Sequence, residues 1–419
     1  MAVTGDIDGF SRGEVIAGYG RRFLRFMLPI WIFAGGFVIF EPSPYEFAFL
    51  GVLAAVFMAG VSIHYRTRGF VPFLFVFVPS SLLAVTQIRF GAMSDALVYT
   101  AVTLFLLITS FVVANVVAEA PAAMMRRIFN AYIASALLLS IIGTLAYLGF
   151  LPGEDVFLKF GRAKATFKDP NVYGPFLMLP AAAVLQRILI GRMRGFLFNA
   201  AILAVLFVGI FVSFSRGAWV HFAVTALLVV LLTFTLEAGA RIKVRIAYLS
   251  IAGAIGLVVI TAGLLSIDSV RELFEVRASV VQDYDSGVFG RFGRQLYALE
   301  LIRTHPFGIG PLQFRHLRIV EEPHNTYANV FLTYGWLGGA AFVWLIWATL
   351  MRAVKSLAIP SPNRILMIPL FATYLPLIGE AAIIDIDHWR HLFLIIGLIW
   401  GVAAGYDRVE RRPQPNRLR

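Results

Sequence analysis

The sequence predicts an all-α, polytopic integral membrane protein of about twelve transmembrane helices with one large helical loop, and three observations carry that prediction. Hydrophobic residues make up 59% of the 419 residues and charged residues 14%. A soluble globular domain holds roughly 25% charged residues, so lipid must be the solvent for most of this surface. The mean hydropathy of +0.80 agrees. Apolar runs close to the ~20 residues needed to cross a bilayer recur along the chain, and the basic residues cluster in the short links between them.

The runs fall near 24–40, 45–63, 70–88, 96–118, 128–151, 171–190 and 195–214, then near 217–236, 246–265, 327–350, 365–384 and 390–406. Ser213–Gly217 is where 195–236 would fold if it formed one broken hairpin. Arg12, Arg21, Arg22 and Arg25 precede the first run as in a signal sequence, but no small-x-small cleavage site follows, so an uncleaved first span is expected. Arg66, Arg68, Arg126, Arg127, Arg187, Arg192, Arg194, Arg241, Lys243 and Arg245 alternate onto one face, as do Arg352, Lys355, Arg364 and the tail Arg408, Arg411, Arg412, Arg417 and Arg419. With the N-terminal four these are 22 of the 36 basic residues. Such a bias in short loops marks the cytoplasm. Both termini are therefore expected there, and 152–170, 213–217, 267–324 and 385–390 on the other side. The chain divides into a bundle of about nine helices (1–265), a large external loop with short helices (266–326), three last spans (327–406) and a basic cytoplasmic tail (407–419).

A net charge of +12 and a pI near 10.1 could point to nucleic acid. No basic domain stands apart from the apolar runs, so the cations read as topology signals and contacts to membrane lipids. Cysteine is absent, which removes disulfides, thiolate nucleophiles and cysteine-based zinc sites. Pro29, Pro79, Pro180 and Pro376 are tolerated in membrane helices. No internal repeat is evident, which disfavours a transporter or flippase built from inverted halves.

The stretch 267–324 is the one long hydrophilic insertion. Val270, Leu273 and Phe274 lie at helical spacing, as do Phe292, Leu296, Leu299 and Ile302, and Gly308-Ile309-Gly310-Pro311 then turns the chain. Four polar clusters share the insertion's side of the membrane. They are Gly161–Asn171, Ser213–Trp219, Gly290–Arg294 with His305–Pro311, and Pro323–Tyr327. Arginine is always charged and offers a planar fork of donors that suits phosphate oxygens. Several arginines at one membrane boundary fit a diphosphate on a lipid carrier. His324 is the natural acid–base group, with Asn325 or Tyr327 to orient it or a sugar hydroxyl. Arg216 has little loop on either side and must sit at the boundary, where charge is costly.

Other polar residues read more simply. Lys159, Lys168 and Arg390 suit solvent or lipid headgroups, and Arg277, Arg303, Arg315 and Arg318 suit solvated faces of the insertion. His305 suits a turn, and His64 and His221 suit structural or interfacial positions. Asp385, Asp387, His388 and His391 have a spacing that a metal could use, but such residues are also ordinary at a helix end. Glu321-Glu322 are adjacent and cannot easily flank one glycosidic bond at the roughly 5 Å or more such a carboxylate pair needs.

His324-Asn325, nine residues and then Gly335-Trp336-Leu337-Gly338 resemble the H-N-x9-G-x-x-G signature of bacterial O-antigen ligases. Thr166–Asn171, Ser215–Trp219, Gly290-Arg291 and His305–Gly310 resemble further stretches of the O-antigen ligase/polymerase superfamily, in its order, over roughly 120–345. Gln295 stands where that family carries an aromatic residue, with Tyr297 nearby.

The resemblance implies a GT-C-like, inverting, metal-independent glycosyltransferase with no cofactor. It would move a glycan from undecaprenyl diphosphate to a saccharide or lipid-linked acceptor on the periplasmic face of the bacterial inner membrane, in lipopolysaccharide or exopolysaccharide synthesis. Arg216 and Arg291 would bind the diphosphate and His324 would assist the acceptor hydroxyl. Arg162 or Lys164, with Asn171, Arg294, Asn325 and Tyr327, would complete the substrate site. Ligase and polymerase are not separated by any residue of this chain.

Overall fold

A computed structural model describes residues 11–278, 287, 290–317 and 321–405. Arg318 and the basic tail 407–419 lie outside the described residues. Among the described residues sixteen α-helices follow one another: α1 (Arg12–Ala34), α2 (Pro44–Ala59), α3 (Phe70–Val85), α4 (Met93–Glu119), α5 (Pro121–Tyr147), α6 (Glu154–Phe157), α7 (Pro170–Phe176), α8 (Met178–Ile190), α9 (Phe196–Val212), α10 (Arg216–Leu232), α11 (Ala240–Leu265), α12 (Asp268–Ala278), α13 (Arg291–Thr304), α14 (Thr326–Ala358), α15 (Arg364–Glu380) and α16 (Arg390–Ala404). A two-stranded hairpin, β1 (Leu158–Lys159) and β2 (Arg162–Ala163), sits between α6 and α7.

Each apolar run of the sequence is met by a helix. Among the described residues, eight helices are long and apolar enough to cross a membrane, and the protein is an integral membrane protein on that basis. α2 and α16 are shorter, as is α15 at 17 residues. α16 has only 15 residues, roughly 22 Å of helix, yet every residue from His391 to Ala404 is buried. Packed against α4, α14 and α15, it is solvated by protein and need not match the bilayer thickness. An all-round apolar sequence is what such a central helix requires. α11 is the opposite case, with Ile246 its single buried residue.

The insertion forms α12 and α13, and the two dock differently. Phe274 of α12 stacks on Phe211 and Trp219, ring centroids 5.8 and 5.4 Å apart, so the predicted apolar stripe seats α12 on α9 and α10. The predicted stripe of α13 faces the other way: Phe292, Leu296 and Leu299 are exposed, and Arg294 and Ala298 are buried. Its inward face is Tyr297, Ala298, Leu301 and Ile302, packed with Phe314, Ala328 and Leu332, and polar bonds flank that contact. Arg294 pairs with Glu321, and Gln295 donates to the His324 carbonyl at 3.1 Å.

α14 is broken at Gly335, whose φ of 73° and ψ of −177° lie outside the helical region. The Pro306–Ile309 loop fills the break. Ile309 N donates to Leu332 O at 2.7 Å and Trp336 N to Pro306 O at 2.8 Å, so the backbone groups freed by the break are satisfied, as a membrane interior demands. A Cβ on Gly308 would lie 2.6 Å from Leu332 O, and one on Gly335 2.7 Å from Pro306 O. Only glycine permits that approach. The G-x-x-G stretch and the His305–Gly310 stretch are thus two sides of one joint.

Candidate functional site

A cleft of about 1200 Å³ opens at the end of the bundle where α9 turns into α10, α13 begins, α14 starts and α15 passes to α16. Among the described residues, seven cationic side chains and five carboxylates line it, with an apolar wall from Val220, Val224, Leu375, Pro376 and Ile383. Four of the sequence's polar clusters meet there, although they are spread over more than 160 residues.

The α9–α10 turn is tight. Phe214 takes a positive φ of 45°, Ser213 Oγ accepts from Ser215 N at 3.3 Å, and Ser215 caps α10 through Ala218 N. Arg216 is therefore the first residue of α10, held at a helix N-terminus where backbone donors and the helix dipole favour anions. Arg162 clamps this turn from beneath. It is buried, donates through Nε to Ser213 O at 2.9 Å and through Nη2 to Asn171 Oδ1 at 2.8 Å. Its strand belongs to the hairpin whose Phe160-Gly161 tip has positive φ at both residues (54° and 69°), the geometry favoured in two-residue hairpin turns. Lys159 of that hairpin pairs with Asp169 at 2.8 Å.

Arg291 opens α13 and Arg294 lies one turn later; both line the cleft. Arg294 is 4% exposed and is anchored by Glu321. Arg315 pairs through Nε with Glu322 at 2.8 Å. Burial pushes the Glu322 carboxyl above its ordinary range, against the pull of Arg315.

His324 sits opposite with a φ of 54°, an uncommon conformation for a residue with a Cβ. Asp385 supports it. One carboxylate oxygen accepts from His324 N at 3.1 Å, the other from Asn325 N at 3.0 Å, and Oδ2 lies 3.4 Å from ring Nδ1. Nε2 is turned toward Glu321 at 3.6 Å. Burial raises the Asp385 carboxyl above its usual value, with the His324 hydrogen bond opposing that rise. Asn325 caps α14 through Ala328 N at 3.1 Å.

Of the residues singled out in the sequence, Arg162, Asn171, Arg216, Arg291, Arg294 and His324 all line the cleft. Lys164, Asn325 and Tyr327 are not among its lining residues. The Lys164 ammonium donates to Val156 O, and burial lowers its proton affinity. Tyr327 Oη donates to Ile378 O at 2.6 Å. Arg277 and Arg315, read from sequence as solvated, line the cleft instead.

None of the cleft carboxylates is a catalytic or binding candidate in the sequence reading, where Asp385 enters only as a possible metal ligand; two of them brace histidines, Asp385 behind His324 and Glu380 beside His221. Glu380 Oε2 meets His221 Nδ1 at 3.0 Å, and His221 Nε2 meets Thr373 O at 3.0 Å; His221 and Glu380 line the cleft. Among the described residues, no three His, Asp or Glu side chains are grouped to hold a metal ion. Asp387 is taken up by Tyr99 and Asn329, and His388 by Thr103.

The fold and the cleft together define an integral membrane protein with a cationic cleft at one end of its helical bundle, flanked by a carboxylate-braced histidine. Residues 201–343, about a third of the chain, match the O-antigen ligase family model, which supports the resemblance to the O-antigen ligase/polymerase superfamily read from the motifs. The matched region holds Arg216, Arg291, Arg294, His324 and the Gly335 joint; Arg162, Asn171, Glu380 and Asp385 lie outside it. No curated protein matches the chain.

Proposed function

We propose that this protein is an inverting, metal-independent membrane glycosyltransferase that moves a glycan from undecaprenyl diphosphate to an acceptor sugar. The reaction takes place on the periplasmic face of the inner membrane, with both termini cytoplasmic. The family match supports ligase or polymerase activity in glycan assembly on lipid-linked substrates. The observation that carries the finer reading is the meeting of Arg216, Arg291 and Arg294 with His324 in one cleft that also has an apolar wall.

In this reading the diphosphate lies against the guanidiniums and the α10 N-terminus, and the polyprenyl tail runs along Val220, Val224 and Pro376. The acceptor hydroxyl oxygen attacks the anomeric carbon from the face opposite the diphosphate. The bond from that carbon to the phosphate oxygen breaks and its electron pair leaves with the diphosphate. His324 takes the hydroxyl proton, and Asp385 steadies the ring as it gains charge. Fixed arginines facing the departing oxygens stabilise negative charge where it develops, which is commonly the largest single contribution to such catalysis.

The test is transfer in proteoliposomes containing the purified protein, a lipid-diphosphate-linked glycan and a candidate acceptor. Wild type should form a new glycosidic bond; His324→Ala and Arg216→Ala should not. The product separates the two reactions, since a polymerase lengthens the glycan and a ligase attaches it to a lipid-borne sugar. Movement of the lipid-linked glycan across the bilayer without a new bond would overturn the proposal in favour of a transporter.

A further inference from the structure

A single carboxylate oxygen joins the arginine side of the cleft to His324. Glu321 Oε2 pairs with Arg294 Nη1 and stands 3.6 Å from His324 Nε2. We propose that Glu321 positions the acceptor, taking a hydrogen bond from the sugar hydroxyl next to the one that attacks. The proposal rests on the transferase reading and names the acceptor class within it: a sugar with two adjacent hydroxyls at the point of attachment.

The His324 ring points to this role. Nδ1 faces Asp385 at 3.4 Å, which leaves Nε2 to receive the acceptor's proton. A separation of 3.6 Å is too long for a hydrogen bond, so Nε2 and the Glu321 carboxylate face one space without closing it. A hydroxyl that reaches Nε2 therefore arrives beside that carboxylate, and its neighbour on the sugar ring arrives with it. An ionised carboxylate only accepts hydrogen bonds, so a hydroxyl donor is the partner it fits. Charge argues against the donor's anionic end here, because a carboxylate repels a diphosphate. A neutral sugar meets no such penalty.

Glu321 is also held for the task. Arg294 is buried, whereas 57% of the Glu321 side chain is exposed, and both line the cleft. A buried guanidinium thus fixes an exposed carboxylate, whose rotamer freedom would otherwise be lost only on binding. The backbone beyond it is fixed as well. Glu322 turns to Arg315 at 2.8 Å, and Asp385 accepts from His324 N and Asn325 N.

Transfer from a lipid-diphosphate-linked glycan would be measured in proteoliposomes with methyl glycosides of glucose, galactose and N-acetylglucosamine as acceptors. Whichever is glycosylated is then offered without the hydroxyl next to the new bond. Wild type should lose about 10–100-fold in kcat/KM on the deoxy acceptor, the usual range for a hydrogen bond to a charged group. Glu321→Gln should raise the KM of the full acceptor with little change in the donor KM, and should discriminate less than wild type between the two acceptors. The deoxy comparison needs no variant, so it decides the matter if Glu321→Gln, which leaves buried Arg294 without its counter-charge, does not fold. Equal kcat/KM on both acceptors in wild type would overturn the proposal and leave the transferase reading in place, as would a Glu321→Gln effect confined to the donor KM. No new glycosidic bond with any acceptor would remove the transferase reading and this inference with it.

Discussion

Asp385 holds His324 by both backbone and ring: its carboxylate accepts from His324 N at 3.1 Å and stands 3.4 Å from Nδ1 of the same residue. The backbone bond stabilises a left-handed conformation that costs of order 1–3 kcal/mol elsewhere, and the ring contact orients the imidazole. Asp385→Asn should keep much of the backbone support and lose the charge. The expected outcome is a drop of about 10²-fold in kcat with little change in the donor KM, the range typical of disabling acid–base catalysis. Steady-state transfer kinetics check it, and a change confined to KM would refute the positioning role.

The same carboxyl carries a pH signature with opposite signs for activity and stability. Burial raises its proton affinity above the ordinary aspartate value of 3.8. A folded-state pKa above the unfolded one means that the folded state favours the proton, so this group's contribution to stability is fully present below about 3.8 and is lost as pH rises through the raised value. Activity needs the ionised form beside His324 and should rise over that same interval. Thermal unfolding and transfer rate measured from pH 4 upward should therefore diverge in wild type. In Asp385→Asn both profiles should flatten there.

Arg216 and His324 were legible in the sequence because each stands in a short motif beside an apolar run. The cost of placing charge there is itself a signal. Asp385 and Glu380 were not, since their partners lie 61 and 159 positions away and nothing local distinguishes a bracing carboxylate from an ordinary helix-end residue. His221, read as structural or interfacial, is buried against Glu380, a partner that nothing local announces. The spacing of Phe292, Leu296 and Leu299 matches a helix but does not say which face is buried, because the contacts that orient α13, the packing of Ala298 and the bonds of Arg294 and Gln295, are tertiary. The hairpin at Phe160 was missed because it spans two residues per strand, too few for a period to register.

Arg216→Lys tests geometry apart from charge. An ammonium keeps the positive charge at the α10 N-terminus but cannot present two parallel donors to a phosphate. Transfer should fall about 10²–10³-fold, the range seen when one fixed donor to a developing anion is removed. Arg291→Lys should behave likewise, and the two losses combined should be less than their product if both guanidiniums serve one diphosphate. Activity near wild type in Arg216→Lys would leave only a charge requirement at that position.

The His221–Glu380 pair should matter first for stability. Both side chains are buried, and Glu380 packs against the turn that carries Arg216: a Cβ on Gly217 would come within 2.4 Å of Glu380 Oε1. Glu380→Ala leaves the His221 Nδ1 side without its partner, which costs about 1–3 kcal/mol. A lowered Tm in detergent is expected, and Glu380→Gln should recover part of it by restoring a neutral polar partner. Identical Tm values for wild type and Glu380→Ala would contradict the assignment.

The joint between Gly308 and Gly335 makes the most specific structural prediction. Gly335→Ala introduces two costs together: a side chain at a φ of 73° and a Cβ 2.7 Å from Pro306 O. The first alone is of order 1–3 kcal/mol. The second forces the Pro306–Ile309 loop away from α14, breaking the bonds from Ile309 N and Trp336 N. α13 hangs on that loop and brings Arg291 and Arg294 to the cleft, so transfer should fall with Tm although residue 335 lines no part of the site. Leu337→Ala is the control, since Leu337 is 69% exposed and its loss should stay within about 0.5 kcal/mol. Measuring both variants by thermal unfolding and by transfer separates a local backbone requirement from general sensitivity of α14. Equal effects in the two would deny Gly335 its role in aligning α13.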